Sequence, residues 1–135
     1  MRATRDVFHL AVPVHDLDAA QRFYVDQLGC KLARHYPDRI TLDFFGDQLV
    51  CHLCEDDTPG RRPLSLYPRH FGVTFRRRAE FDALHECAVI RKIPFFRDLS
   101  TRFEGMAEAH RTFVLVDPSD NLIEFKHYRD PRMMY

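Results

Sequence analysis

The chain has 135 residues, 45% hydrophobic and 30% charged, which suits one compact domain and excludes a disordered polymer. Its 20 basic and 20 acidic residues cancel to a formal net charge of zero, so neither nucleic acid nor an anionic membrane is an expected partner. No apolar run approaches a membrane span, "MRATRDVFHL" lacks the apolar stretch of a secretory signal, and Cys51-x-x-Cys54 has no second CxxC to make a zinc knuckle. The four cysteines are therefore expected to be reduced thiols in a cytoplasmic protein.

In chain order, "FHLAVPV" (8–14) reads as a strand, with His9 as an ionisable ring among apolar neighbours. "HDLDAAQRFYVDQLGC" follows as a helix: Asp16 is placed as N-cap, Gly29 to end it, and Leu17, Ala20, Phe23, Tyr24 and Leu28 form its buried stripe. "KLARHY", "RITLDFFG" and "QLVCHLC" read as three short strands, the last two joined by a turn at Gly46-Asp47. Residues 57–68, with three prolines and one glycine, have the composition of a linker.

The second half repeats the first. "HFGVTFR" is a strand, "RRAEFDALHECAVIRK" a helix with Phe81, Leu84 and Ala88 on one face, and "IPFFRDL", "HRTFVLVD" and "LIEFKHY" are strands. The plan is α+β: two βαβββ modules, about 5–56 and about 69–130, within a single domain of residues 1–135. Neither module alone can close a good core, so the two are expected to pair. The basic runs Arg61-Arg62 and Arg76-Arg77-Arg78 read as solvated surface. So do His110 at a strand start and the loop 102–110, while Phe44, Phe45, Phe103 and Phe113 read as core rather than pocket.

The repeat brings polar exceptions to matching places. His9-Leu-Ala-Val stands against His70-Phe-Gly-Val, and Ala11 and Gly72 share a face with their histidines, leaving room beside the rings. In the last strands of the modules the exceptions are His52 and Glu124. Taken singly, each histidine suits a packing role and Glu124 suits an ion pair. Taken together, His9, His52, His70 and Glu124 make a donor set for a divalent transition metal.

Three stretches, "FHLAVPVHDLDAAQRFYVDQLG", "RHFGV" and "VDPSDNLIEF", resemble the vicinal oxygen chelate superfamily, which groups glyoxalase I, bleomycin-resistance proteins, fosfomycin-resistance enzymes and extradiol dioxygenases. The resemblance covers about residues 7–127. It implies paired βαβββ modules around a cleft that holds a divalent metal, with ligand positions at His9, His52, His70 and Glu124. Two departures stand out. Histidine replaces the glutamate that glyoxalase I-like members carry at the position of His52, and Asp120 replaces the usual glycine of the "DPSGN" turn, where Asp tolerates a left-handed backbone. Bleomycin-binding members usually lack the ligands that are present here.

Three functions follow from the resemblance. The first is an Fe(II) dioxygenase-like enzyme in which His9, His70 and Glu124 form a two-histidine, one-carboxylate triad, with His52 as fourth ligand or acid/base. The second is a glyoxalase-like lyase or isomerase using Zn, Ni, Mn or Co, with His52 or Glu124 as catalytic base. The third is a non-enzymatic binder of a small molecule. The substrate is expected to be a small oxygenated molecule that chelates the metal, and the protein a homodimer.

Overall fold

The computed structural model describes residues 6–135. The expected start of the first module, at residue 5, and half of the segment read for a signal sequence lie outside the described residues.

The first half comprises β1 (His9–Val14), α1 (Leu17–Gln21) with a π-helical continuation (Arg22–Gln27), β2 (Lys31–Tyr36), β3 (Arg39–Phe44) and β4 (Asp47–Leu53). The second comprises β5 (Phe71–Thr74), α2 (Arg78–Ile90), β6 (Phe95–Arg102), β7 (His110–Val116) and β8 (Leu122–Tyr128), followed by a 3-10 turn (Pro131–Met134). Each half forms one four-stranded sheet, in the orders β1-β4-β3-β2 and β5-β8-β7-β6, with the first and last strands parallel and the others antiparallel. These are the paired βαβββ modules of the α+β plan.

Local chemistry accounts for the first helix. The Asp16 side chain accepts from the Ala19 amide at 2.9 Å and caps it, and Gly29 ends it at φ 89°. The helix is not one regular α-helix, as its spacing predicts. It widens into a π-helix, where the Leu28 amide donates to the Phe23 carbonyl five residues back. The adjacent residues Phe23 and Tyr24 are both almost wholly buried within that wider turn.

One core serves both halves. Val14, Tyr24 and Ile40 belong to the same buried cluster as Phe81, Phe113 and Phe125. An aromatic seam crosses between the sheets, with Phe44 against Phe71 and Phe45 against Phe125, each at 5.7 Å between ring centres. Phe44 and Phe113 are core residues, whereas Phe45 and Phe103 are substantially exposed.

A polar clasp joins the first helix to the β7–β8 turn. The buried Tyr24 hydroxyl donates to Asp117 Oδ2 at 2.8 Å, Ser119 Oγ bonds the His15 backbone and ring, and Asn121 Nδ2 donates to the Pro13 carbonyl. Asp120 takes the left-handed backbone expected of it, φ 64°.

The thiols are free, and burial pushes Cys30 up to about 12 and Cys51 higher still. No helix among the described residues is long and apolar enough to cross a membrane.

Candidate metal centre

Each sheet turns one face to the core and one away from it. On the second sheet the outward face carries Gly72 from β5, Glu124 and Lys126 from β8, and Thr112 and Val114 from β7, as their direct pairing requires. His70 stands immediately before β5. Its Nε2 lies 3.1 Å from Glu124 Oε2. Thr112 Oγ1 donates to Glu124 Oε1 at 2.8 Å, and Lys126 Nζ lies 3.3 Å from Oε2.

Glu124 is 5% exposed. Burial pushes its carboxyl up, but the Thr112 hydrogen bond, the Lys126 ammonium and His70 outweigh this and hold it below its ordinary 4.5. It is an ionised carboxylate at neutral pH.

The tautomer of His70 follows from its partners. Nδ1 lies 2.7 Å from the Leu66 carbonyl, which only accepts, so Nδ1 carries the proton. In the neutral ring, Nε2 then presents a lone pair to a carboxylate oxygen. Two such groups in contact need a positive charge between them: a second ring proton or a metal ion. Two donors that share one ion at about 2.0–2.2 Å and near-right angles lie about 3 Å apart, the separation found here. A ligating histidine fixed through its other nitrogen by a carbonyl is a recurrent arrangement at metal sites.

Residues between the modules build one wall of this site. Leu66 is buried against Val114 and Leu122 on the outward face, so its carbonyl reaches His70. The Tyr67 ring stands edge-on to His70, and its hydroxyl accepts from Arg102 at 3.0 Å. A cavity of about 670 Å³ opens on the same side, lined by Ala11 and Pro13 of β1, by Arg61 and Tyr67, and by His70 and Leu122.

His9 is built like His70. Its Nδ1 bonds Gln48 Oε1 at 2.6 Å, leaving Nε2 directed away, and the residue is exposed. The structure does not bring it to His70 and Glu124 within one chain. Among the described residues no group of three or more His, Cys, Asp or Glu side chains is placed to hold one ion.

The repeat match of His52 with Glu124 is corrected by register. Gly72, two residues after His70, pairs with Glu124, whereas Ala11, two residues after His9, pairs with Val50. The repeat mate of Glu124 is therefore Val50, and that of His52 is Lys126. His52 pairs with Pro13, four positions along β4 from Gln48, the partner of His9. That offset is about 13 Å along the strands, too far for both histidines to hold one ion. His52 is exposed, and no partner of its ring is seen among the described residues.

Two further readings change. Gly72 is small because a Cβ there would land on the Glu124 backbone carbonyl, not because a ring needs room. His110 is 7% exposed rather than on the surface, stacked on Tyr128 at 4.6 Å, with Nδ1 donating to the Glu108 carbonyl. Thr112, Lys126 and Tyr67 escaped the sequence reading, and Arg102 entered it only within the loop 102–110, as a candidate substrate contact set against an exposed loop. Only the period-2 alternation around Glu124 could have pointed to Lys126.

The family profile of the Glyoxalase/Bleomycin resistance protein/Dioxygenase superfamily matches residues 6–125. A glyoxalase/bleomycin resistance protein/dioxygenase from Alicyclobacillus acidocaldarius is 64% identical, with all of both chains covered and a TM-score of 0.93. Two more distant structures share the fold. Lactoylglutathione lyase from Agrobacterium tumefaciens is 20% identical, with 90% of this chain and 92% of that one covered, TM-score 0.68. The fosfomycin resistance protein FosX from Listeria monocytogenes is 14% identical, with 99% and 100% covered, TM-score 0.70. The search of curated proteins found no match.

Proposed function

From a chain that belongs to the glyoxalase/bleomycin resistance protein/dioxygenase superfamily, we propose a metal-dependent enzyme acting on a small oxygenated molecule, with dioxygenase-like chemistry at Fe(II). The observation that carries this reading is the His70 Nε2 to Glu124 Oε2 contact, a lone pair facing a carboxylate at the separation of two ligands of one ion. His9, fixed through Nδ1 in the same way, is the third donor, and a second copy of the chain supplies it because one chain does not assemble the set. With Val50 in the place that mirrors Glu124, the set is two histidines and one carboxylate, the triad that suits non-haem Fe(II) and leaves coordination positions open. When bound, the ion supplies Lewis-acid and oxygen chemistry to a chelating substrate.

The chain's own residues position and exclude. The Leu66 carbonyl fixes the His70 ring, and Thr112 fixes the Glu124 carboxylate. Leu66, Val114 and Leu122 keep water from the floor. His52 lies outside the ligand set.

Protein purified without added metal is expected to carry iron, and His9→Ala, His70→Ala and Glu124→Ala are each expected to lose it. Catechol-dependent oxygen consumption then identifies the oxygenase. Stoichiometric zinc or nickel without oxygen uptake would assign a lyase or isomerase instead, and metal retained in all three variants would sink the site.

A further inference from the structure

We propose that Lys126 is a built-in counter-cation of this centre: its ammonium holds Glu124 Oε2 while the centre is empty, and a divalent ion enters only by displacing it. This role rests on the metal reading above. It adds a residue, outside the donor set, that sets how tightly the ion is held.

Lys126 lies two residues after Glu124 on β8, on the same outward face, and directs its ammonium to within 3.3 Å of Glu124 Oε2. The same oxygen faces His70 Nε2 at 3.1 Å, while Thr112 takes Oε1. Oε2 is thus the oxygen that an ion would share with His70, and an ammonium is already on it. The first sheet gives the contrast. There the position that mirrors Glu124 is Val50 and the one that mirrors Lys126 is His52, so neither the carboxylate nor the ammonium is present. The lysine stands where the buried carboxylate does.

The two partners are unequally free to move. Glu124 is 5% exposed, and a buried carboxylate with no cation beside it is costly. Burial opposes its charge, and the Thr112 hydrogen bond and the Lys126 ammonium help to outweigh that. The Lys126 side chain is 28% exposed. A flexible four-carbon stem with a strongly hydrated head can turn toward water at little cost. When a stronger cation arrives, Glu124 stays and Lys126 leaves.

A divalent ion on Oε2 is repelled by an ammonium held on the same oxygen, so loading must break the Glu124–Lys126 pair. Loading is therefore an exchange of one cation for another rather than an addition. Unloading does not strand a bare buried carboxylate, because Lys126 returns to it. The same lysine makes the chain hold its ion less tightly than His70, Glu124 and a third donor would hold it alone.

The test is a calorimetric titration with zinc of chelator-treated wild type, Lys126→Met, Lys126→Gln and Lys126→Arg, each checked for fold by circular dichroism. Lys126→Met and Lys126→Gln are each expected to bind zinc about tenfold more tightly than wild type, because the competing charge is gone. Lys126→Arg keeps that charge and is expected to stay within about threefold of wild type, which a role of Lys126 in packing alone would not produce. Zinc affinity unchanged or weakened in both neutral variants would overturn the proposal and leave the metal reading standing. Zinc binding by Lys126→Arg as tight as by Lys126→Met would do the same. No zinc binding by wild type or any variant would overturn both.

Discussion

Tyr24 and Gly72 show how single residues set the site without touching a ligand. The Tyr24 hydroxyl, buried under the first helix, donates to Asp117, whose turn also anchors Ser119 and Asn121 against β1. Tyr24→Phe removes one donor from a buried carboxylate and is expected to cost about 1–3 kcal/mol in chemical denaturation. Burial raises the Asp117 carboxyl above its ordinary 3.8 despite its hydrogen bonds to Asn121, Tyr24 and Ser119. Its contribution to stability is therefore full below about that pH and is lost as pH rises through the folded value. Because the Tyr24 donor favours the ionised form, the cost of Tyr24→Phe is expected to be larger at pH 7 than at pH 4. Glu124 has the opposite sign: its lowered value contributes stability above about 4.5 that disappears as pH falls through the folded value. Thermal melts of wild type and Glu124→Gln are expected to converge below pH 4.5, and a constant gap would contradict this. At Gly72 any Cβ meets the Glu124 backbone, so Gly72→Ala is expected to cost more than about 3 kcal/mol or to leave the protein unfolded by circular dichroism.

At the scale of elements, much was legible. Strand alternation, the Asp16 cap and the Gly29 stop placed the first helix and its neighbouring strands, and the repeat placed His70 and Glu124 at the elements that bring them together. Register was less legible. His52 and Val50 both lie on the outward face of β4, and period-2 alternation cannot tell which of two same-face positions mirrors Glu124. Only the hydrogen-bonded pairing with β1 decides that. The π-helical turn was illegible for a similar reason, since Phe23 and Tyr24 fit an α-helical stripe equally well. The stretch between the modules read as a linker from its prolines, yet Leu66 is a packed residue and its carbonyl accepts from His70 Nδ1. Leu66→Ala is expected to lower stability by about 2–4 kcal/mol and to weaken divalent-metal affinity in calorimetry, because the carbonyl that orients His70 moves with it. His52→Ala is expected to leave metal content unchanged; loss of metal there would return His52 to the ligand set.

At the scale of the molecule, the aromatic seam and the polar clasp fix the two modules in one chain, while the outward face of the first sheet leaves His9, Ala11 and Pro13 exposed. On the proposed reading, a metal centre built from His70, Glu124 and one more histidine needs a second copy, and the expected homodimer becomes part of the chemistry. The most direct measurement is the metal content of a heterodimer purified through two different tags from cells co-expressing His9→Ala and Glu124→Ala chains. Each variant alone is expected to bind no metal. In the mixed pair one site combines the intact His9 of the Glu124→Ala chain with the intact His70 and Glu124 of the His9→Ala chain. About one ion per heterodimer is the predicted result, and a heterodimer as empty as its parents would contradict a centre shared between two chains.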